Sequence, residues 1–360
     1  MARFIALYLP QYHPFKENNA WWGKGYTEWT NVAKARNLFK GQNQPHIPAD
    51  LGFYDLRLPE VREEQANLAK GAGIEGFCYY HYWFGNNKPL MERPFNEVVQ
   101  SGNPDFPFCL CWANHSWFKK QWNPDAPEKD LLLIEQKYEG DEDVINHFNY
   151  LLNAFKDKRY ITVNGKLLFF IYDAFRFPNV THFMDMWNKL AIKEGLKGFY
   201  FAATDADSRR KEKAMELGFD AIYNVDAFNI HHKMSILRKT ILLIGRRYFH
   251  LVTRMPYREA IKYMIVEDCK NKGVIPSVVP NWDHTPRSKY NGFVLTDPDP
   301  KYFKELCKHA IDIVKDKPQE EQIIMIKSWN EWGEGNYMEP DLQYGHGYLD
   351  ALKEAINESR

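Results

Sequence analysis

The chain is short of cysteine, of net charge and of long apolar runs, and each shortage weakens the case for a class of protein. Five cysteines occur among 360 residues: Cys78, Cys109, Cys111, Cys269 and Cys307. The count is odd and no pair is spaced C-x-x-C, so neither a disulfide framework nor a cysteine zinc site is supported. Cys109 and Cys111 stand two apart in a predicted strand and read as small core residues. Lysine plus arginine and aspartate plus glutamate each number 47, so the formal net charge is zero. A protein that tracks phosphates usually carries a basic surplus, so nucleic acid is not expected as a partner. No stretch approaches the ~18 apolar residues of a membrane span. The opening residues, MARFIALYLPQ, lack the apolar region and cleavage site of a secretory signal, so a soluble cytoplasmic protein is expected. No G-x-G-x-x-G follows the first apolar strand, which leaves a dinucleotide-binding doubly wound sheet as the lesser alternative.

Aromatic residues are plentiful, at 16% of the chain, with 11 Trp and 21 Tyr. Flat rings with a polar edge build cores, and a surplus also lines carbohydrate and nucleobase sites. Short β-rich runs recur at FIALYL (4–9), IEGFCYY (74–80), FPFCLCW (106–112), KLLFFIY (166–172), KGFYFAA (197–203), DAIYN (220–224), VIPSVV (274–279) and QIIMIKS (322–328). Most lack alternation, which predicts strands buried on both faces. Helical spacing falls between them. Val61, Gln65, Leu68 and Ala72 form one stripe; Val144, Ile145, Phe148, Leu151, Leu152 and Phe155 form another behind acidic Asp141-Glu142-Asp143. Further stripes run through Phe183 to Ala191, Ala214 to Leu217 ahead of Gly218, and Tyr302 to Ile313. Strand and helix alternating eight times predict an α/β fold, a (β/α)8 TIM barrel with long βα loops. One catalytic domain over 1–360 is expected, with a basic helical insertion around 225–272.

Polar and aromatic residues gather just after the strand ends. Gln11, Tyr12 and His13 follow the first strand, His81, Tyr82 and Trp83 the second, and Asn114, His115, Ser116 and Trp117 the third. Asp173, Thr204 with Asp205, and Asn224 with Asp226 follow the next three. Asn281, Trp282 and Asp283 follow the seventh; Asn330, Glu331 and Glu334 follow the last. A closed barrel brings all these ends to one rim, where barrel enzymes keep their active sites.

The segment IKSWNEWGEGNYMEPD (326–341) carries the sharpest signal. On a helical turn, Glu331 and Glu334 share a face with Cβ atoms about 5–6 Å apart. Carboxyls that close suit a retaining glycosidase better than an inverting one. Like charges resist joint ionisation, so one carboxyl stays protonated as acid while the other serves as base. Trp329 and Trp332 are expected to wall the cleft, and Gly333 and Gly335 to let a substrate approach the backbone.

Several segments together carry a resemblance. YLPQYHP (8–14), WWGKGYTEWTNV (21–32), QPHIPADLGFYDLR (44–57), GFCYYHYWF (76–84), FPFCLCWAN (106–114) and SWNEWGEG (328–335) resemble WbsX-type proteins. That group is labelled as glycosyltransferases of surface-polysaccharide biosynthesis and is similar to glycoside hydrolase family 99, the endo-acting α-mannosidases. The resemblance implies a barrel acting on α-linked glycans with retention, without metal, nucleotide or other cofactor. It implies that Glu331 deprotonates a sugar 2-OH, whose oxygen closes onto C1 as a 1,2-anhydro sugar. Glu334 would protonate the departing oxygen and then activate water or an alcohol. WbsX-type proteins commonly carry a glutamate where this chain has His115, which bears on substrate identity; His115 reads equally as a ligand contact or a plain loop histidine.

Tyr8, Tyr12, His81, Tyr82, Trp112, Asn114, His115, Trp117, Asp173, Asn281, Trp282, Trp329, Asn330 and Trp332 complete the expected ring around an oligo- or polysaccharide, each with bracing a loop as its alternative role. The long first loop is expected to pack partly as a structural lid. Residues 231–258 alternate Lys233, Arg238, Lys239, Arg246, Arg247, Arg254 and Arg258 with Ile236, Leu237, Ile241, Leu242, Leu243, Ile244, Phe249 and Leu251. This basic amphipathic pattern suits a helix that caps the barrel or one that lies peripherally on an anionic membrane. Three activities compete: a retaining endo-hydrolase; a glycosyltransferase of O-antigen-type polysaccharide, in which Asp205-Ala206-Asp207 would hold a metal and a nucleotide sugar; and a non-catalytic glycan binder, with transglycosylation by the barrel reconciling the first two.

Overall fold

A computed structural model describes residues 2–119, 130–205, 210–224 and 236–359. Trp122, Asp226, Lys233 and the latter part of the Asp205–Asp207 motif lie outside the described residues. Eight parallel strands form the central sheet: β1 (Arg3–Tyr8), β2 (Gly76–Trp83), β3 (Phe108–Trp112), β4 (Lys166–Ile171), β5 (Phe199–Asp205), β6 (Ala221–Asn224), β7 and β8 (Ile323–Ile326). The run at 274–279 does not form one continuous strand. β7 consists of two pieces, Val274–Ile275 and Ser277–Val278, either side of Pro276, which has no N–H to give to a ladder. The first piece pairs with β6 and the second with β8, while β1 pairs with both β2 and β8. That pairing closes the ring. Arg3 lies opposite Ile323, Ile5 opposite Gly76 and Leu110 opposite Phe169.

The unalternating runs are explained by burial on both faces: no residue of β8 is more than 1% exposed. Around the sheet stand α1 (Pro59–Gly71), α2 (Arg93–Ser101), α3 (Asp141–Phe155), α4 (Val180–Lys193), α5 (Lys211–Glu216), α6 (Ile236–Phe249), α7 (Pro300–Val314) and α8 (Gly347–Glu358). Pro59 and Pro300 occupy first turns, where a missing N–H costs nothing, and the Asp299 side chain caps α7 through Lys301 N. The three acids predicted to open α3 fill its first turn. Gly218 follows α5 with φ +95°, as a C′ glycine should. Trp187 locks α4 to the barrel, with ring centroids 5.0 Å from Phe169 and 5.2 Å from Phe199.

Two connections reach over the C-terminal rim. The β1–α1 loop carries short helices, Lys16–Trp22 and Trp29–Lys34, and Trp29 packs on Tyr12 at 4.8 Å and Trp332 at 5.5 Å. The β6–β7 connection carries α6 and then Thr253–Pro256, which pairs with Phe293–Thr296 as a rim ribbon. α6 is not a buried cap, because Leu237 is 72% and Tyr248 68% exposed. Among the described residues, no helix is long and apolar enough to cross a membrane.

Candidate active site

The segment leaving β8 is pinned from several sides. Asn330–Glu331 pairs with Asn336–Tyr337 as a small hairpin around the 3-10 turn Trp332–Glu334. The Asn330 side chain accepts from Leu9 N at 2.7 Å and donates to Leu9 O at 3.1 Å. The Tyr12 hydroxyl donates to Asn330 O and accepts from Trp332 N. Asn336 donates to Asn281 O at 2.8 Å and Lys327 O at 2.7 Å. Trp332 stacks on Tyr337, with centroids 3.7 Å apart, and its indole N–H donates to Glu339 at 2.6 Å. These bonds tie the hairpin to β1, to the loop after β7 and to Glu339, so the two glutamates are carried on a rigid base.

The Lys327 ammonium lies 2.6 Å from Glu331 Oε2 and 4.0 Å from Glu334 Oε2. Sharing one cation brings the carboxylates to within roughly 7 Å, inside the span over which glycosidase pairs work. Arg287 donates through Nη1 to Glu334 Oε1 and through Nε to Glu28 Oε1 at 2.9 Å. His284 Nε2 is 3.7 Å from Glu334 Oε1. Among the described residues, Glu28, Glu331 and Glu334 thus meet the cations Lys327 and Arg287. Burial, and then the charge of Glu334, push the Glu331 carboxyl above the usual carboxylate range, against the pull of Lys327 and Arg287. Burial works against the charge on Lys327, but Glu331 and Glu334 overrule it and hold the ammonium firmly protonated.

The glycines serve the protein's own packing, not substrate approach. A Cβ on Gly333 would lie 1.6 Å from Glu28 Oε1, so the carboxylate of the first loop occupies the space a side chain would need. Gly335 has φ +54°, and a Cβ there would meet the Asp283 backbone at 2.7 Å.

The two tryptophans likewise do not wall a cleft: Trp329 is 0% and Trp332 1% exposed. Trp329 packs on Phe77 at 5.1 Å, and Trp332 is held between Tyr337 and Trp29. Tyr8, Tyr12, Asn330 and Asn281 are also buried and bonded to the protein itself, with the Tyr8 hydroxyl donating to Gln65 at 2.7 Å and Asn281 Oδ1 accepting from Tyr337 N at 3.0 Å. His81 contacts His147 at 2.8 Å between ring nitrogens, and burial lowers its pKa to about 3, so it stays neutral as part of the core. Trp112 packs among Phe177, Phe183 and His147. Asn114 bonds both backbone N and O of Asp173, at 2.7 and 3.2 Å, which fixes the loop after β4. These residues brace the rim and are too deep to offer a face to a sugar.

The partly exposed members form the accessible surface. The Trp282 ring lies 5.7 Å from Lys327 Nζ and stacks on His284. Trp117 meets Trp21 at 5.9 Å and covers Tyr82 edge-on at 5.1 Å, and Tyr82 itself is buried. His115 packs on Tyr172 at 5.2 Å, and Tyr172 lies within the field of Lys327, Glu331 and Glu334. Asp173 pairs with Arg176 at 2.8 Å.

Comparison with known proteins follows from this geometry. Residues 4–352 match the family described as "Glycosyltransferase WbsX". The chain belongs to that family. It is 32% identical over 359 residues to "Uncharacterized protein WxcX" of Xanthomonas campestris pv. campestris, in strain ATCC 33913 and in strain B100. Those matches cover 99% of this chain and 50% of each relative, so the chain spans about half the length of the curated relatives it matches. Among solved structures, a GH99 endo-alpha-mannosidase from Bacteroides thetaiotaomicron, in complex with BIS-TRIS-propane, superposes with TM-score 0.60 at 16% identity, covering 99% of this chain and 97% of that one. A "Glycoside hydrolase-like protein" superposes with TM-score 0.57 at 14% identity, covering 98% and 93%. At these identities the likeness is one of fold, the (β/α)8 barrel.

The WbsX-family chain also uses residues that sequence reasoning passed over. Lys327 was legible in principle, because a lone lysine directly after the buried run Ile323–Ile326 stands at the C-terminal end of a barrel strand, the end at which barrel enzymes place their sites. Arg287 and Glu28 carry no local signal; they lie 259 residues apart and meet only in three dimensions. Glu339 is buried below Trp332, with its pKa raised to about 7 by burial, and accepts from Trp332, Gln65 and Tyr54.

Proposed function

We propose that the chain is a retaining, endo-acting glycoside hydrolase of α-linked polysaccharide, mannan-like or from a bacterial surface. The observation that carries this reading is the sharing of Lys327 by Glu331 and Glu334 at the C-terminal end of β8. In the reactive state Glu331 is the carboxylate beside Lys327 and Glu334 carries the proton. Glu331 takes the proton of the sugar 2-OH, and O2 forms a bond to C1 as the glycosidic C1–O bond breaks. The departing oxygen takes its proton from Glu334. Water then adds to C1 and gives a proton to Glu334, the C1–O2 bond opens, and O2 recovers its proton from Glu331. The carboxylates need only exchange protons and neither must reach C1, which suits side chains held by ion pairs on one hairpin. Trp282 and Trp117 supply faces for sugar C–H surfaces, and Asp173 and His115 supply hydroxyl partners.

Incubation with a panel of α-mannans and bacterial O-polysaccharides, followed by product sizing and anomeric NMR, tests this. Internal cleavage with an α product formed first is expected. Glu331→Gln and Glu334→Gln should each lower turnover by about 10²–10⁴-fold while glycan binding persists. Full activity in both variants would overturn the assignment. The family description favours a second reading, in which a sugar hydroxyl replaces water in the second step and the same site performs transglycosylation. A nucleotide-sugar transferase differs again: manganese plus a nucleotide sugar would raise its melting temperature, whereas the hydrolase should not respond.

A further inference from the structure

We infer that Glu28 is a positioning residue: from the β1–α1 loop, and through Arg287, it aims the proton donor Glu334 and helps that donor keep its proton. The inference rests on the reading of Glu334 as the acid and deepens it. Glu28 is fixed before it meets Arg287. Its N–H donates to Gln11 O at 3.2 Å and its carbonyl accepts from Asn31 N at 3.1 Å. The next residue, Trp29, packs against Tyr12, Tyr54 and Trp332, and its indole N–H donates to Tyr54 O at 2.8 Å. The Glu28 side chain is 2% exposed and fills the space that Gly333 leaves open. A carboxylate that deep is costly unless a cation meets it, and Arg287 Nε lies 2.9 Å from its Oε1. Arg287 stands on the helical turn Thr285–Ser288, which the β1–α1 loop holds a second time. The Gln42 amide donates to Asp283 at 2.7 Å and to Thr285 Oγ1 at 2.9 Å. The first loop thus decides where the guanidinium stands.

Arg287 Nη1 donates to Glu334 Oε1, while Oε2 of the same carboxyl lies 4.0 Å from Lys327. A guanidinium beside a carboxyl favours its ionised form, and an ionised Glu334 has no proton for the departing oxygen. A second carboxylate on the same guanidinium offsets that pull. Several groups face Glu334. Arg287 and His284, at 3.7 Å, come from the loop after β7, Lys327 and Glu331 from the end of β8, and Tyr172 from the end of β4. Glu28 acts from the first loop across the guanidinium. Glu331 gives up its negative charge when it takes the 2-OH proton, whereas Glu28 takes no part in the proton transfers. The offset that Glu28 provides therefore lasts through the step in which Glu334 donates.

The test compares the full chain with Glu28→Gln and Glu28→Asp. Glu28→Gln keeps the shape and an oxygen that accepts from Arg287 Nε, but deletes the charge. The alkaline limb of kcat on a soluble polysaccharide should move down by about one pH unit, with KM changed less than about twofold. Glu28→Asp keeps the charge at a shorter reach and should show a smaller shift in the same direction. A second readout needs no turnover: the side-chain carboxyl carbons of 13C-glutamate-labelled protein are titrated by NMR, with the Glu334 signal assigned through Glu334→Gln. Its midpoint should fall in Glu28→Gln. Should that variant fail to fold by circular dichroism, the shift in Glu28→Asp carries the test. A purely structural role would lower the melting temperature and leave limb and midpoint in place, and that outcome overturns the proposal. So does a loss confined to KM. If the parent cleaves no glycan and the Glu334 midpoint still falls, the enzymatic reading fails and the coupling stands. If the parent cleaves glycan and neither limb nor midpoint moves, the positioning role alone fails.

Discussion

Replacing Lys327 with methionine keeps an unbranched side chain of similar length in a buried position and deletes the charge that Glu331 and Glu334 share. The ammonium sits 2.6 Å from Glu331 and 4.0 Å from Glu334. At an effective permittivity of about 20, unit charges ~4 Å apart attract by about 4 kcal/mol. Leaving one member of a buried pair without its partner costs about 3–5 kcal/mol. At about 1.36 kcal/mol for each pKa unit, that energy is enough to move the coupled carboxyls upward by about 2–3 units. Glu331 already stands above its ordinary range because of burial and the charge of Glu334, so the variant should be without its base at neutral pH. Of the other groups around it, Arg287 is committed to Glu28 and Glu334, while Tyr80, Tyr82 and Tyr172 stay neutral and cannot replace the cation. The assay is kcat/KM against pH with a soluble polysaccharide. Its acid limb should move upward by about 2–3 units, with activity near pH 7 about 100-fold lower and recovering in alkali. Stability gives a second check with a definite sign: a carboxyl whose folded pKa is raised loses its contribution as pH rises through that value, so the variant should melt progressively lower than the parent toward alkaline pH. An acid limb that stays in place, with the whole loss in KM, would refute the reasoning and leave Lys327 as a substrate contact.

Other expectations follow from the same geometry. Gly333→Ala places a methyl where Glu28 lies, so it should cost about 1–3 kcal/mol in thermal melts and disturb the Glu28–Arg287–Glu334 clamp; unchanged kcat/KM would show that the clamp does not matter. Arg287→Met should leave Glu28 and Glu334 facing each other without their cation and lower kcat by at least about tenfold, whereas Arg287→Lys should restore only part of it because a point charge cannot bond both as the guanidinium does. Glu339, held neutral by burial with a pKa of about 7, stabilises the fold fully below the ordinary glutamate range, and this is lost as pH rises through about 7. Calorimetry should show about 3 kcal/mol disappearing across that window, and Glu339→Gln should remove the dependence.

The barrel was legible because its signal is local. Eight short β-rich runs matched the eight strands to within a few residues, and the five stripes matched α1, α3, α4, α5 and α7, while α2 (Arg93–Ser101) and α8 (Gly347–Glu358) went unread. Among the strands, the split of β7 at Pro276 reflects a missing N–H that was visible but not weighed. The proximity of the two carboxyls was legible, and their surroundings were not. Trp329 and Trp332 resemble cleft walls on paper, because a tryptophan beside a glutamate reads alike whether it faces solvent or Phe77. Gly333 resembles an opening for substrate, because nothing local reveals that Glu28 passes over it.

The amino-acid sequence alone determined the repeating strand–helix order, the rim on which polar residues gather, and the pair Glu331 and Glu334, since each depends on spacing within a few residues. The tertiary structure alone decided which charges face that pair, which aromatic rings are buried, and that α6 keeps its apolar stripe outside the core. The physical reason is range: backbone preference and periodicity act between near neighbours, whereas charge pairing and burial depend on distance in space, which residues 28, 287 and 334 share only once the barrel has closed.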